Sequence, residues 1–600
     1  MKIGKSVISN IQTGSSSPQK NKLYASVWCI SALILLLLLI VAGGVWAKNI
    51  KKKSRHAKRE IVYIIHADVT AANQTLMPHI TILRGNVKLR HKGMYMKCDS
   101  AYLDESTNTF DAYDHVYMYQ GDTLKLWGDF LRYDGYKDLA MLRHNCKLVN
   151  RGTTLLTDSL NYDRSTDLAY YFEGGTMLES KNILTSEWGQ FCPSTKDSKF
   201  LYGVKLANPQ YTLSTDTLHF NTASGLARIV GPSKIDSRDN HIVADRGWYN
   251  THTNKSQLTN RPLLFTDNGK TLRGDTVFYN RAAGYCIAHS NAILTDTVRK
   301  NILEGGYLYY NQLKDSALAT GHALATDYSQ GDSIYMHADT MKLITFRART
   351  DSAYRQMHAY HKVRIYKKDF QAVCDSLMFS SADSCMRLYK DPILWNQQQQ
   401  QLGEEVHIFF NDSTIDRVKI INQALSVAQK DSIHYNQTAG NKMEFFFASG
   451  TLEHLEVTGN VKLNYYPEDS GKNGEKDMMG MNYSESSFLV LWMRNKKIHR
   501  MRMTPRSTGS FYPMLMIPNK SLYLDNFGWF DYVRPLNKED VFNWRGKKQG
   551  SELVYKIRKP MPLPNRGLQK TIKNNAKSLP TNKMPPTPKP VPAQKVVPAN

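Results

Sequence analysis

The residues best suited to chemistry in this sequence are aspartates that recur at a nearly constant spacing. Each begins a five-residue unit with apolar third and aromatic or Leu fifth positions. The aspartates are Asp99, Asp129, Asp158, Asp216, Asp245, Asp275, Asp339 and Asp375. A row of carboxylates can coordinate calcium, and two carboxylates at one level of a β-array can cleave a glycan by acid–base chemistry.

The spacing favours a structural role for these carboxylates. Calcium-binding β-rolls are built from Gly-rich nonapeptides with clustered acids, whereas this chain has one such acid about every 30 residues. Asp followed by Ser or Thr is typical of a cap, in which the carboxylate accepts backbone N–H groups at a corner. We therefore predict that the aspartates cap the starts of strands.

Motifs of known enzyme classes are missing from the sequence. It contains no G-x-S-x-G, no H-E-x-x-H and no P-loop, and its 18 histidines are scattered. The six cysteines beyond the apolar N-terminal segment form no CxxC and have no metal-ligand spacing; they are Cys98, Cys146, Cys192, Cys286, Cys374 and Cys385. We expect no enzymatic activity, no metal and no cofactor.

The elements that hold the aspartates form an array of repeats. Counting degenerate units at Glu187–Phe191 and Gly305–Tyr309, successive units are 30, 29, 29, 29, 29, 30, 30, 34 and 36 residues apart. The second and fourth positions after the Asp are apolar, a period of two that predicts a strand with one buried face. The pattern predicts an all-β, elongated solenoid-like array over residues 61–465, with about three strands of six to nine residues per repeat.

The net charge of +25 invites a nucleic-acid interpretation. Ten of these charges fall in residues 1–60 and nine in residues 550–600, which leaves six for the 489 residues between them. A nucleic-acid-binding protein needs its basic residues on the folded face that contacts phosphate. We therefore expect no nucleic-acid partner.

A membrane segment is predicted at Val27–Trp46, a run of 20 residues without a charge. It is interpreted as one N-terminal transmembrane helix following a cytoplasmic N-terminus at 1–26. A signal peptide is the alternative, since Val45-Trp46-Ala47 fits a small-residue cleavage pattern. Seven Lys or Arg follow the segment and four precede it, a bias that by itself places the body in the cytoplasm.

One pair of motifs resembles a known family. Gly85-Asn86-Val87-Lys88-Leu89 followed by Cys98-Asp99-Ser100-Ala101-Tyr102-Leu103, with a late copy at Gly459–Leu463, is similar to the OstA-like, LptA-type β-jellyrolls of lipopolysaccharide transport. The resemblance covers about residues 61–465 and implies β-jellyroll repeats there. It further implies a groove that shields acyl chains and an array that bridges the inner and outer membranes. It implies lipopolysaccharide, inner- and outer-membrane transport components and edge-to-edge self-association as partners. It also implies a periplasmic body anchored in the inner membrane, against the charge bias.

The groove is expected to be lined by the repeated apolar positions. These are Leu131, Tyr133, Leu160, Tyr162, Leu218, Phe220, Val277, Tyr279, Met341, Leu343, Leu377 and Phe379. The same residues could instead close a dry core, and periodicity does not distinguish the two. A β-solenoid glycan lyase or hydrolase, and a structural periplasmic scaffold without lipid cargo, remain the alternative functions.

The last part of the chain departs from the repeat. Residues 481–550 are rich in aromatics and Pro and are interpreted as a cap of the array, with a docking surface for an outer-membrane partner as the alternative. Residues 556–600 are rich in Pro and Lys and predict a disordered tail.

Overall fold

The computed structural model describes residues 60–551 and 553, apart from 73, 74, 76, 77, 239, 267, 268, 330, 412, 413, 471–475 and 496. The expected N-terminus 1–26, membrane segment 27–46 and tail 556–600 lie outside these residues. A search of the described part finds no helix with the length and apolarity that crossing a membrane requires. The chain divides into unit 1, Met1–Met177 with Gln190–Thr195, and unit 2, Leu178–Gly189 with Lys196–Asn600.

The described part of unit 1 is built of antiparallel strands. Strands β1 and β2 both pair with β3, and β3 to β9 then pair in chain order. Their bounds are β1 Tyr63–His66, β2 Val69–Ala72, β3 Ile80–His91, β4 Met94–Asp104, β5 Thr109–Gln120, β6 Leu124–Asp134, β7 Leu139–Asn150, β8 Thr153–Asp163 and β9 Leu168–Tyr171.

Unit 2 has the same antiparallel architecture. The strands at and after the boundary are β10 Gly175–Glu179, β11 Asn182–Ser186, β12 Trp188–Phe191, β13 Asp197–Asn208, β14 Tyr211–Asn221, β15 Leu226–Ser237, β16 Asn240–Asn250, β17 Lys255–Thr259, β18 Leu263–Thr266, β19 Lys270–Arg273, β20 Thr276–Asn280, β21 Tyr285–Asp296, β22 Asn301–Asn311, β23 Ser316–Asp327, β24 Ile334–Phe346, β25 Tyr354–Lys367, β26 Phe370–Ser380, β27 Cys385–Tyr389, β28 Ile393–Asn396, β29 Gln399–Leu402, β30 Glu405–Asn411, β31 Thr414–Gln429, β32 Tyr435–Ala448, β33 Thr451–Tyr465, β34 Glu468–Ser470, β35 Lys476–Met478, β36 Gly480–Arg494, β37 Lys497–Thr504 and β38 Thr508–Pro513.

Long strands bend at a corner near their middle. In β3 the register with β4 shifts between Arg84 and Val87, and the intervening Gly85 and Asn86 have φ of 75° and 44°. Two successive left-handed residues turn the chain out of the extended path, and Gly and Asn tolerate that conformation best. Equivalent corners lie at Asp114–His115, His144–Asn145, Tyr202–Gly203, Ser290–Asn291, His361–Lys362, Asn422–Gln423 and Gly459–Asn460.

The corners divide the sheet of each unit into two parts that face each other. In unit 1, half-sheet A comprises 87–91, 94–98, 116–120, 124–128, 146–150 and 153–157, and half-sheet B comprises 80–84, 100–104, 109–113, 130–134, 139–143, 159–163 and 168–171. In unit 2 the register shifts at the corners divide the long strands into half-sheets A and B in the same way.

Contact between strand ends demonstrates this folding. In a flat sheet His91, at the outer end of half-sheet A, would lie on the order of 30 Å from Tyr133 at the outer end of half-sheet B. Instead, the hydroxyl of Tyr133 lies 2.7 Å from Nδ1 of His91. Half-sheet A therefore covers half-sheet B, with the apolar faces of both turned inward.

Two strands, rather than the three expected, make each repeat. Asp99 lies in β4 and Asp129 lies in β6, so one repeat spans two strands of 11 or 12 residues. The shorter strands expected from the sequence are the two halves of one bent strand. The alternation of buried and exposed residues restarts in a new phase after each corner. One bent strand therefore has the sequence pattern of two shorter strands.

The antiparallel ladder continues past residue 465. Strand β36 pairs with β33, and both β37 and β38 pair with β36. After Pro513 the chain has short 3₁₀ turns at Met514–Met516, Asn519–Ser521, Asp531–Val533 and Asp540–Phe542.

Residues 514–545, which we call the strap, return across the outside of half-sheet A in unit 2. In β26, Ala372 and Cys374 pack into the inner core, whereas Val373 between them belongs to a second cluster with Phe530 and Val533 of the strap. The strap therefore adds a third layer on the outer face of this part of the sheet.

Candidate functional site

Seven of the eight recurrent aspartates lie at the corners, in the middle of strands, and Asp275 lies between β19 and β20. Nδ1 of His115 is 2.7 Å from Oδ2 of Asp99, and Asn145 donates its side-chain N–H to Asp129 at 2.6 Å. Their partners are therefore mainly corner side chains, and the expectation that they cap strand starts through backbone N–H groups was wrong. The backbone N–H of Asn145 does donate to Asp158, at 3.2 Å. The structural role is retained because five of these carboxylates bond a residue of a left-handed corner; they are Asp99, Asp129, Asp158, Asp275 and Asp375.

The twelve predicted inward residues all lie on the inner face of half-sheet B, four in unit 1 and eight in unit 2. Ten are buried, with exposures of 0–6 %. Leu343 and Phe379 are partly exposed. In unit 2 these two residues are both register partners of Met357, so they form one cross-strand row.

The tyrosines of this set lie at the outer ends of the strands, where they contact polar groups. Burial raises the pKa of Tyr133 to about 12 and that of Tyr279 to about 12, so both hydroxyls stay protonated. Tyr279 accepts a hydrogen bond from the side chain of Asn240 at 2.9 Å, and Tyr162 donates to Asp167 at 2.8 Å. These side chains close the edge of the interior rather than line its centre.

Polar links join the edges of the two half-sheets in unit 1. Nζ of Lys92, at the end of half-sheet A, is 2.7 Å from Oδ2 of Asp138 in a turn of half-sheet B. Arg164, in the next turn of half-sheet B, donates to the carbonyl oxygens of Lys92 and His91. Burial lowers the pKa of His91, which favours its neutral form beside Tyr133. In unit 1 these contacts therefore close the edge of the interior that lies opposite the corners.

Similar links occur in the first part of unit 2. Arg281 donates to the carbonyl oxygen of Gln210 at 2.7 Å. Asp315, in a turn of half-sheet B, forms ion pairs with Lys270 of half-sheet A and with Arg355. The side chain of Lys270 is 4 % exposed, so the contact is almost fully removed from water.

The interior changes character after Arg355. Partly buried apolar side chains pack against the inner core. Three of them, Leu303, Ala325 and Ile334, precede Arg355, and those that follow it are Met357, Phe370, Phe379, Met386, Phe410, Ile415, Phe447, Leu452 and Met503. The rings of Phe379 and Phe410 meet edge to face, 6.3 Å apart. Apolar carbon is therefore accessible at this edge, and it is the part of the interior best suited to a hydrocarbon ligand.

Several of these residues were missed from the sequence. Met357, Met386 and Phe410 fall outside the five-residue unit, but each lies two residues from a buried apolar neighbour, which is the signal that could have found them. The corner pairs were missed as well, although adjacent Gly, Asn, Asp and His residues at the middle of an alternating run predict a bulge.

The described residues contain no group of three or more His, Cys, Asp and Glu side chains that could hold a metal ion. The six described cysteines are free. Burial raises the pKa of the Cys98 thiol to about 12 and that of the Cys146 thiol to about 12, which makes them poor nucleophiles.

The chain is similar to one protein family and to several solved structures. No curated protein matches the chain. Fifteen chains of solved structures match it. One is the crystal structure of LptH, the LptA homologous periplasmic component of the lipopolysaccharide transport device from Pseudomonas aeruginosa; it is 9 % identical, covers 24 % of this chain and 80 % of LptH, and has a TM-score of 0.13. The sequence profile of the OstA-like protein family matches residues 59–216. The similarity to the OstA-like family therefore rests on this segment of the chain.

Proposed function

We propose that this protein is a lipopolysaccharide-transport component whose body lies in the periplasm and whose interior binds acyl chains. The OstA-like segment supports the class of function. The observation that carries the site is the row of partly buried apolar side chains between Met357 and Met503, since it offers accessible hydrocarbon beside a continuous core.

The energetics favour a sheltered path for such a cargo. Burial of one methylene is worth about 0.8 kcal/mol, so exposing an acyl chain of ~12 carbons would cost roughly 10 kcal/mol. A surface of similar apolar side chains keeps this free energy nearly constant along the path. No bond has to be made or broken, so the proposed role requires no catalytic group.

The two parts of the interior have different roles in this proposal. Where polar links such as Lys270–Asp315 close the edge, the inward residues form a packed core. After Arg355 the edge is apolar, and we assign acyl-chain binding to this stretch. The twelve inward residues thus include packing residues such as Leu131 and binding residues such as Phe379.

The partners follow from the same proposal. Inner- and outer-membrane transport components would deliver and accept the lipid, and the predicted segment Val27–Trp46 would anchor the protein in the inner membrane. Edge-to-edge association with a second copy would use the antiparallel edge strands β37 and β38.

Site-specific photo-crosslinking in cells tests the site. A photoreactive phenylalanine in place of Phe379 is expected to crosslink to lipopolysaccharide. The adjacent Met378 is the matched control, because its neighbours Leu377 and Phe379 face inward and it faces outward on the same strand. Equal crosslinking at both positions, or none at Phe379, would contradict acyl-chain binding in the interior.

A further inference from the structure

The outer face of half-sheet A in unit 1 carries a set of side chains that the proposed function does not use. Cross-strand register arranges them in two rows over strands β3 to β7. The first row is Lys88, Lys97, Tyr117, Trp127 and Lys147. The second row is Arg90, Tyr95, Tyr119, Lys125 and Val149. We call these ten residues the aromatic–basic face.

The aromatic side chains form a continuous stack at the centre of this face. Tyr95 stacks on Tyr119, Tyr119 on Tyr117, and Tyr117 on Trp127, with ring centroids 5.2–5.3 Å apart. All four rings are partly exposed. They place Tyr hydroxyls and an indole on a surface that elsewhere in a sheet would carry small polar residues.

Basic side chains surround the stack without acidic partners. The ten residues include five cations and no carboxylate. Nζ of Lys97 lies 5.9 Å from the ring centroid of Tyr119, and Nζ of Lys147 lies 5.5 Å from that of Trp127. Within the described residues none of the five cations forms an ion pair, in contrast to Arg132 of half-sheet B, which pairs with Asp111. The face therefore presents uncompensated positive charge over about 19 Å, the width of five strands.

The rest of the chain does not supply a complementary partner. Residues 1–59 contain eleven Lys or Arg and residues 554–600 contain ten, with no Asp or Glu in either segment. Like charge disfavours binding of either segment to this face. The strap covers the equivalent outer surface in unit 2, where apolar residues such as Val373 and Trp395 pack against it and the cation Arg364 donates to the carbonyl oxygen of Val541. A partner complementary to the aromatic–basic face is therefore anionic and comes from outside the chain.

We infer that the aromatic–basic face docks on an anionic bilayer surface. Lys and Arg are attracted to anionic headgroups, and Tyr and Trp favour the interfacial zone of a bilayer, so both classes of side chain fit the same partner. The sequence also places the face close to a membrane, because 16 residues separate Trp46 from Tyr63. Sixteen residues reach up to about 55 Å when extended. Docking holds unit 1 against the membrane in which the chain is predicted to be anchored.

Amine labelling of the full chain tests this inference. The protein is incorporated into nanodiscs of phosphatidylcholine with or without 30 % phosphatidylglycerol, acetylated briefly, and analysed by mass spectrometry. We expect phosphatidylglycerol to slow acetylation of Lys88, Lys97 and Lys147 at least ~5-fold, and 1 M NaCl to remove the protection. Lys234, an exposed lysine on the outer face of half-sheet A in unit 2, is the control and should not change.

A variant distinguishes docking by charge attraction from non-specific shielding of the lysines by the nearby bilayer. K97Q/K125Q/K147Q removes three exposed or half-exposed cations, and each loss is expected to weaken docking about 5-fold, so that Lys88 is acetylated equally in both types of nanodisc. Circular dichroism checks that the variant is folded. Equal labelling of the wild-type face in both lipids would overturn the inference. Protection by dextran sulfate but not by anionic nanodiscs would also overturn it and assign the face to a soluble polyanion.

Discussion

The strap is held to the sheet by glutamine side chains, and replacing one of them should release it locally. Gln400 is 0 % exposed. Its side-chain N–H donates to the carbonyl oxygen of Gly528, and its carbonyl oxygen accepts from the backbone N–H of Phe530, both at 2.8 Å. Gln437 makes the same pair of bonds to Leu522 and Leu524. The repetition indicates that main-chain recognition positions the strap.

Gln400→Ala removes both bonds and leaves a buried N–H and a buried C=O without their partner. Each hydrogen bond contributes about 1 kcal/mol net, and a buried group left unsatisfied adds about 1–3 kcal/mol. Allowing for relaxation, we expect a loss of about 2–3 kcal/mol in local stability. At 1.36 kcal/mol per factor of ten, this corresponds to an increase of roughly 30- to 150-fold in the opening of the strap.

Native-state hydrogen exchange measures this opening directly. The amide of Phe530 and its neighbours in the strap should exchange faster by that factor, while amides in the inner strands keep their rates. Gln399→Ala is the matched control, since Gln399 is exposed and adjacent in β29. Unchanged exchange at Phe530, or equal acceleration in both variants, would refute the role assigned to the glutamine.

Three further outcomes are expected. Leu218→Ala, at a fully buried inward position, should lower the free energy of unfolding by about 2–5 kcal/mol in denaturant titrations, and a change below ~1 kcal/mol would contradict close packing there. Alkylation of the native protein should modify Cys192 before Cys98. Burial opposes ionisation of Cys192, but hydrogen bonds from neighbouring side chains outweigh this effect and lower the pKa of its thiol. Burial raises the pKa of the Cys98 thiol to about 12. Burial likewise opposes ionisation of Asp315, but Lys270 and a neighbouring arginine outweigh it and hold its pKa below the ordinary value. Ionised Asp315 therefore stabilises the folded protein. This contribution is complete above the pKa of about 4 that the carboxyl has in the unfolded chain, and it is lost as pH falls through the pKa in the folded protein. Asp315→Asn should therefore lower stability at pH 7 more than at pH 3, as thermal unfolding at the two pH values would show.

The strap and the aromatic–basic face show how differently the outer face of half-sheet A is used in the two units. In unit 2, where this face carries apolar and glutamine side chains and the buried cation Arg364, a segment of the same chain covers them and accepts or donates their hydrogen bonds. Where they are basic and aromatic, no described segment of the chain covers them. This difference comes from the side chains, because both units are built of the same kind of antiparallel strands.

The sequence by itself determined the β-class, the repeat and the inward-facing residues. Alternation of apolar and polar residues depends only on the two-residue period of a strand, so positions such as Leu160 and Leu218 could be assigned to the buried face without knowing the fold. The family resemblance, expected over residues 61–465, was also readable, since it rests on short contiguous motifs, and the matched profile confirms it over residues 59–216.

The tertiary structure alone decided how many strands make a repeat, where the edge is closed and what covers the outer face. Two left-handed residues at each corner fold half-sheet A over half-sheet B, and this brings His91 to Tyr133 across 42 positions of sequence. The contact between Gln400 and Phe530 spans 130 positions. Local periodicity carries no information about such pairs, because they depend on the accumulated geometry of every bend and strand between them.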